Sequence, residues 1–178
     1  MEGLRFIVES LANLYLMVMA LRLVMQWVRA DWRNPIVQFV VNVTNPLVVP
    51  LQKFLVPVYK LDTSTLVVLI ALQLAVFSLL IWMTGAMLPD FMTLLWFAVL
   101  SCIRLILNLY FYVIFGYVLM SWIAGGGYNP SLAMLSNLLK EIAEPVLAPV
   151  RRIIPPISGW DLSPVFLLIA LGAVTRMI

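Results

Sequence analysis

Histidine is absent from the 178 residues, and cysteine occurs once, as Cys102. The first absence removes the commonest general base and the commonest transition-metal ligand. The second excludes an intramolecular disulfide, and a lone cysteine in an apolar run is usually a small packing residue. Charge is scarce too: 11% of the residues are Asp, Glu, Lys or Arg, against about 25% in a soluble domain. The chain has no thiol pair, no phosphate-cradling glycine motif and no Gly-x-Ser-x-Gly. Gly125-Gly126-Gly127 ends an apolar run instead of following a strand, and reads as a flexible exit. Glu141 and Glu144 share a helix face, but two acids without histidine are a weak metal signal, and a solvated face fits them better. These absences leave no catalytic residue, metal ligand or cofactor to name, and the expectation is a protein that is not an enzyme.

Apolar residues make up 64% of the chain, and the mean hydropathy is +1.07. Water cannot solvate a surface built from that mixture, so the excess is expected to face lipid. Spanning a bilayer core takes about 20 helical residues. Four segments qualify or nearly do: about Leu4–Val28, then Thr63–Leu88, Phe91–Ile123 and the short Ser163–Ile178. The runs are continuously apolar, which favours helices over a barrel. The N-terminal run is too long for a signal peptide and has no clear cleavage site, so it reads as a retained first span. The expected fold is therefore an all-α membrane protein with four transmembrane helices.

The chain also repeats itself. An offset of 95 aligns Asn13-Leu14-Tyr15 with Asn108-Leu109-Tyr110, Trp27 with Trp122, and Asn34-Pro35 with Asn129-Pro130. After a four-residue insertion the offset becomes 99. It then aligns Pro46 with Pro145, Pro50 with Pro149, Lys53 with Arg152, Pro57 with Pro156, Asp62 with Asp161 and Ser64 with Ser163. Apolar matches are cheap in such a chain, but prolines, tryptophans and an Asp-x-Ser in register are not. Residues 1–88 and 91–178 are read as two tandem copies, each a helix, a basic proline-rich loop with an amphipathic helix, and a second helix. Two spans per copy give parallel repeats. Basic residues concentrate in the two loops, as Arg29, Arg33, Lys53, Lys60, Lys140, Arg151 and Arg152, which predicts cytoplasmic loops and both termini outside.

Each loop opens with Asn-Pro, which suits an N-cap and first helical position. The polar stripes Asn34, Gln38, Asn42, Asn45 and Ser136, Asn137, Lys140, Glu141, Glu144 predict amphipathic helices. These either lie in the membrane interface or pack on the protein's own core. The prolines that follow (Pro46, Pro50 and Pro57; Pro145, Pro149, Pro155 and Pro156) are expected to break the helix into a rigid, turned path. That path would present Lys53, Arg151 and Arg152 to anionic headgroups or an acidic partner; simple topology anchoring by positive charge weighs more. Ser64 and Ser163, in the Asp62-x-Ser64 and Asp161-x-Ser163 pairs, are expected to cap the next spans.

Within the spans stand Glu9, Asn13, Arg22, Gln73, Arg104 and Asn108. Ionisable groups there are costly and often functional. Glu9 and Arg104 share a register in the two copies, and either pair or snorkel separately. Arg22 lies close enough to Trp27 to snorkel. Asn13 and Asn108 are expected to bond across the helix pair.

The run from Leu14-Tyr15 to Arg22-Leu23-Val24-Met25-Gln26-Trp27, with Asn45-Pro46-x-x-x-Pro50, Met120-Ser121-Trp122, Glu144-Pro145-x-x-x-Pro149-x-Arg151-Arg152-x-x-Pro155-Pro156 and Asp161-x-Ser163-Pro164, resembles the YggT (YlmG) family over nearly the whole chain. The first copy departs from the pattern, with Gln52-Lys53 for Arg-Arg and Thr65 for the proline after serine. The resemblance implies the bacterial inner membrane and a loose association with osmotic stress and ion uptake. Its plastid members imply links to membrane-cytochrome assembly and nucleoid organisation. It implies no active site. The expected partners are the bilayer, an unidentified membrane protein and a second copy of the chain, with no direct nucleic-acid site. Two functions compete, a scaffold or assembly factor and a small oligomeric channel or transporter for ions. A lipid-modifying enzyme comes third.

Overall fold

The computed structural model describes residues 2–55, 62–123, 130–154 and 161–178. Pro57, Lys60, Gly125, Gly126, Gly127, Asn129, Pro155, Pro156 and Trp160 lie outside them. Among the described residues there are six helices and no strand. They are α1 Glu2–Val28, α2 Pro35–Gln52, α3 Thr63–Thr84, α4 Phe91–Ile123, α5 Pro130–Ile153 and α6 Ser163–Met177. Three of them, α1, α3 and α4, are long and apolar enough to cross a membrane. At 1.5 Å per residue they measure roughly 40, 33 and 50 Å. The 15 residues of α6 are equally apolar in character but span only about 22 Å.

The long helices run as far as their apolar runs and stop at local signals. Gly85, with φ of 72°, closes α3 in the left-handed conformation that a residue without Cβ adopts freely. Asp90 opens α4 by accepting the Thr93 amide at 3.0 Å and its hydroxyl at 2.7 Å. Helix α1 ends in a Schellman turn, in which the Ala30 amide reaches Met25 O at 2.9 Å and the Arg29 amide reaches Gln26 O at 3.2 Å. Arg29 takes the left-handed position of that turn, with φ of 57°. A side chain there costs on the order of 1–2 kcal/mol.

Helix α1 packs on α2, α3, α4 and α5, and α4 packs on α3, α5 and α6. One apolar cluster joins Ala20, Val24 and Met25 of α1 to Val37 and Val40 of α2, Leu109 and Ile114 of α4, Ile142 and Leu147 of α5 and Leu171 of α6. A second holds Leu16, Met19 and Leu23 against Val48, Val68, Leu69 and Cys102. Cys102 is buried there as a packing residue. The outer surface stays apolar, with Phe6, Leu14, Trp82, Phe91, Met92 and Ile169 all exposed. Patches of that kind are not left open to water in a soluble monomer.

The helices α2 and α5 correct one expectation. Both continue through their prolines, Pro46 and Pro50 in α2, Pro145 and Pro149 in α5. The pairs are four residues apart, so each pair occupies one helix face, and all four rings are exposed. The carbonyls they leave without a helical partner therefore lie on the outer side, where water or headgroups can reach them, and the buried side keeps its ladder. The inward faces, Val37, Val40, Thr44 and Val48 in α2 and Leu138, Ile142, Ala143 and Leu147 in α5, pack on the protein's own core. Asn34 caps α2 as its Asn-Pro predicts, accepting the Ile36 amide at 2.9 Å.

Candidate functional site

Where each amphipathic helix crosses the long helix before it and meets the start of the next, a polar node is built. In the first half the node begins with Arg22, which a snorkelling side chain would place at the interface. The structure instead buries it to 3% exposure. Its Nη1 donates to Thr44 Oγ1 at 2.7 Å, Asn45 Oδ1 at 2.9 Å and Val41 O at 3.3 Å, all on α2. A buried guanidinium needs these acceptors, because its desolvation is otherwise uncompensated. Thr44 completes its own bonding by donating to Val40 O at 2.6 Å.

Asp62 holds the other end of this node. Its Oδ2 accepts from Gln52 Nε2 at 2.9 Å, Thr65 Oγ1 at 2.8 Å and Gln26 Nε2 at 3.3 Å, and its Oδ1 accepts the Ser64 amide at 3.0 Å. Burial pushes this carboxyl up, but the donors from Gln52, Thr65, Gln26 and Ser64 outweigh burial and hold it below the usual carboxylate range. One aspartate thus ties α1, α2 and α3 together. It is also the cap of α3, the role expected of Ser64. The serine supplies only the amide, while its hydroxyl is buried without a partner among the described residues.

The second half builds the corresponding node differently. Arg151 of α5 donates from Nη1 to both oxygens of Glu144 at 2.8 and 2.9 Å, and from Nε to Asp161 Oδ2 at 2.7 Å. Its Nη2 reaches Tyr117 Oη on α4 at 3.5 Å. Burial alone would lower the Arg151 pKa, but these partners raise it above the ordinary arginine value. Asp161 is pushed up by burial and pulled further down by Arg151 and Ser163. Its Oδ1 accepts the Ser163 amide at 3.0 Å, but the N-cap position of α6 falls on Leu162, so neither the aspartate nor the serine is the side-chain cap there. The Ser163 hydroxyl instead donates to Ile154 O at 3.2 Å. The side chains of Arg151 and Glu144 are 28% and 42% exposed, so solvent screening holds the pair to about 1 kcal/mol.

The other candidates divide. Arg151 is enclosed by two carboxylates, whereas Lys53 and Arg152 are exposed and form no ion pair among the described residues. Glu9 and Arg104 are both exposed and are not brought together. Asn13 and Asn108 do not bond across a dry seam. With Gln73, Ser101, Arg104 and Tyr112 they line a cavity of about 320 Å³ where α1, α3 and α4 meet. Gln73 is 6% exposed.

Sequence reasoning missed Thr44, Gln52, Thr65, Gln26 and Tyr117 as node members. The signal was there in the alignment offsets: Arg22 stands opposite Tyr117, Asn45 opposite Glu144 and Gln52 opposite Arg151. The arginine leaves the long helix in one half and reappears on the amphipathic helix in the other.

The fold and nodes define a class: an all-helical protein whose long apolar helices are clamped to amphipathic helices by arginine–carboxylate and amide–carboxylate networks. The CCB3/YggT family model matches residues 1–83 and 96–178, and the chain belongs to that family. It is 35% identical over 174 residues to an uncharacterized protein of Pseudomonas aeruginosa, covering 97% of this chain and 86% of that one. It is 32% identical over 172 residues to the uncharacterized protein YggT of Escherichia coli, covering 96% and 86%. An uncharacterized protein of Vibrio alginolyticus is 33% identical over 172 residues, covering 96% and 90%. No solved structure matches the chain significantly.

Proposed function

We propose that the chain is a non-enzymatic, multi-pass protein of the bacterial inner membrane that acts as a scaffold or assembly factor in membrane or osmotic-stress homeostasis. In this reading α6 is the fourth span, both halves cross the bilayer in the same sense, the α1–α2 and α4–α5 turns are cytoplasmic, and both termini are periplasmic. The two segments matched by the family model, displaced by 95 residues, support a duplicated unit.

The observation that carries the scaffold reading is how the charged residues are used. Arg22, Asp62, Arg151, Glu144 and Asp161 are engaged in holding α2 and α5 rigidly on the long helices. Lys53 and Arg152 remain exposed next to those rigid helices, available to an acidic partner or to anionic headgroups. In-membrane crosslinking followed by purification tests this. A defined membrane-protein partner is expected, and the double reversal Lys53→Glu with Arg152→Glu abolishes its recovery. Recovery of no partner, or of an unchanged partner from the double variant, argues against the reading.

One observation favours the ion-pathway alternative. The cavity lined by Asn13, Gln73, Ser101, Arg104 and Asn108 gathers five polar side chains where α1, α3 and α4 meet, and polar groups along apolar spans often mark pathways. Four spans are few for a private pore, so this reading needs an oligomer. Ion flux across liposomes containing the purified chain, lost on Arg104→Leu, would carry it. Flux no greater than that of empty liposomes removes it.

A further inference from the structure

The turn between α1 and α2 covers a cavity of about 290 Å³. Arg22, Gln26, Arg29 and Trp32 line it, with Met25 and Val37 among its apolar walls. Two guanidinium groups and no carboxylate belong to this lining. Arg22 is 3% exposed, and its Nε is buried with no hydrogen-bond partner among the described residues. Gln26 Oε1 is likewise buried and without a partner among the described residues. Buried polar atoms are nearly always satisfied, and both orphans belong to residues that line the cavity, which points to an occupant that the two side chains turn to meet. The orphans here are a donor on a cation and an acceptor on an amide, one helical turn apart. Water could satisfy the amide, but the charge asks for an anion that also carries a hydroxyl.

The nearest acid, Asp62, attracts Arg22 across space but accepts no hydrogen bond from it among the described residues. The Asp62 oxygens are taken up by Gln26 Nε2, Gln52, Thr65 and the Ser64 amide. Glu141 accepts the Asp31 amide at 3.3 Å. Arg29 is exposed, forms no ion pair among the described residues, and is held in a strained left-handed backbone where glycine would sit without strain. The apolar walls and the exposed Trp27 and Trp32 rings suit the glycerol and acyl part of an amphiphile rather than a fully hydrated ion. Basic pockets between helices on the cytoplasmic side of a membrane take phospholipid headgroups in this way.

We propose that this cavity binds the headgroup of an anionic phospholipid with free hydroxyls, of the phosphatidylglycerol type. The phosphate accepts from Arg22 and Arg29, and a headgroup hydroxyl donates to Gln26. The proposal rests on the membrane-embedded reading but not on the scaffold role. Failure to extract with the membrane fraction would overturn the first, whereas the lipid measurement below tests only the cavity.

The full chain, purified in neutral detergent, is titrated with phosphatidylglycerol, with phosphatidylcholine and with inorganic phosphate, and retained lipid is counted by native mass spectrometry. One phosphatidylglycerol is expected to bind saturably, phosphatidylcholine is not, and millimolar inorganic phosphate leaves the bound lipid in place. Arg29→Gly is the decisive variant, because glycine suits the turn and the fold survives it. It is expected to weaken phosphatidylglycerol about fivefold, in line with one cation at an anionic surface. Arg5→Gly, which removes an exposed arginine of α1 outside the cavity, leaves the affinity unchanged. Equal retention of phosphatidylcholine, displacement by inorganic phosphate, or equal weakening by the two variants would each overturn the proposal.

Discussion

The two halves of this protein solve the same packing problem with their charges in different places. Each must hold an amphipathic helix between one long helix and the start of the next. In the first half the arginine comes from the long helix, as buried Arg22, and meets neutral acceptors on α2, Thr44 and Asn45. In the second half Tyr117 stands at that place, the arginine is Arg151 on the amphipathic helix, and it meets two carboxylates. The aspartate before the last helix is common to both. It collects neutral amide and hydroxyl donors as Asp62 and a charged donor as Asp161. The difference teaches that what is required is a connected set of donors and acceptors across three elements, not a charge at a given position. The first node is the more buried and tolerates fewer alternatives, while the second is wetter and more dependent on ion pairing.

The largest expected effect therefore falls on the first half. Arg22→Met removes charge-assisted bonds at 2.7 and 2.9 Å from a residue that is 3% exposed. It should destabilise the protein by about 2–4 kcal/mol, measured by denaturant unfolding in detergent. A loss under about 1 kcal/mol would show that the first node is not organised by its arginine. Arg151→Met strips the partners from Glu144 and Asp161, but their exposure reduces the cost to about 1–2 kcal/mol. If the second variant proves the more costly, the contrast between a buried and a wet node is wrong.

The comparison can be sharpened by transplanting one solution into the other half. Arg22→Tyr alone should behave like Arg22→Met. Adding Asn45→Glu and Gln52→Arg recreates the second-half arrangement, and should return at least about 1 kcal/mol of the loss through coupling between neighbours. Strict additivity of the three substitutions would deny that the positions correspond.

The smallest effects are those of pH and salt. Both aspartates titrate below the usual carboxylate range in the folded protein. A depressed folded pKa means that the stabilisation is present above the unfolded value of about 4 and is lost as pH falls through the folded values. Unfolding midpoints should be flat from about pH 5 upward and fall below about pH 4. Raising salt to about 1 M shortens the screening length to about 3 Å. It should lower stability by a few tenths of a kcal/mol in the intact protein and not at all once Arg151 is Met.

Much of the helical framework was legible beforehand. The bounds of α4 match the apolar run Phe91–Ile123, and α3 starts at Thr63 as expected but ends four residues early, at the Gly85 turn. The Asn34-Pro35 start of α2 also held, because a side-chain cap and a fixed φ act over three or four residues. Sequence alone misjudges Pro46, Pro50, Pro145 and Pro149. Proline is a helix breaker when its freed carbonyl is buried, and nothing in Pro46-x-x-x-Pro50 by itself says that this face looks outward. Arg22 escapes the sequence for a related reason: its place near Trp27 suggests a snorkelling side chain, and the sequence does not show which acceptors the tertiary fold brings to it.

Composition and order by themselves determined the class of helices and where the long ones lie, because hydrophobic length and local capping are properties of contiguous residues. The absence of histidine likewise leaves no imidazole for general-base or metal-ligand roles. Only the tertiary structure decided that the proline-bearing helices stay whole and pack inward, that Asn13 and Asn108 line a cavity, and that Asp62 ties together all three helices of its half. The bond from Arg22 to Asn45 crosses 23 positions and that from Gln26 to Asp62 crosses 36. Partners so far apart are chosen by how the helices cross, and no local pattern encodes a crossing.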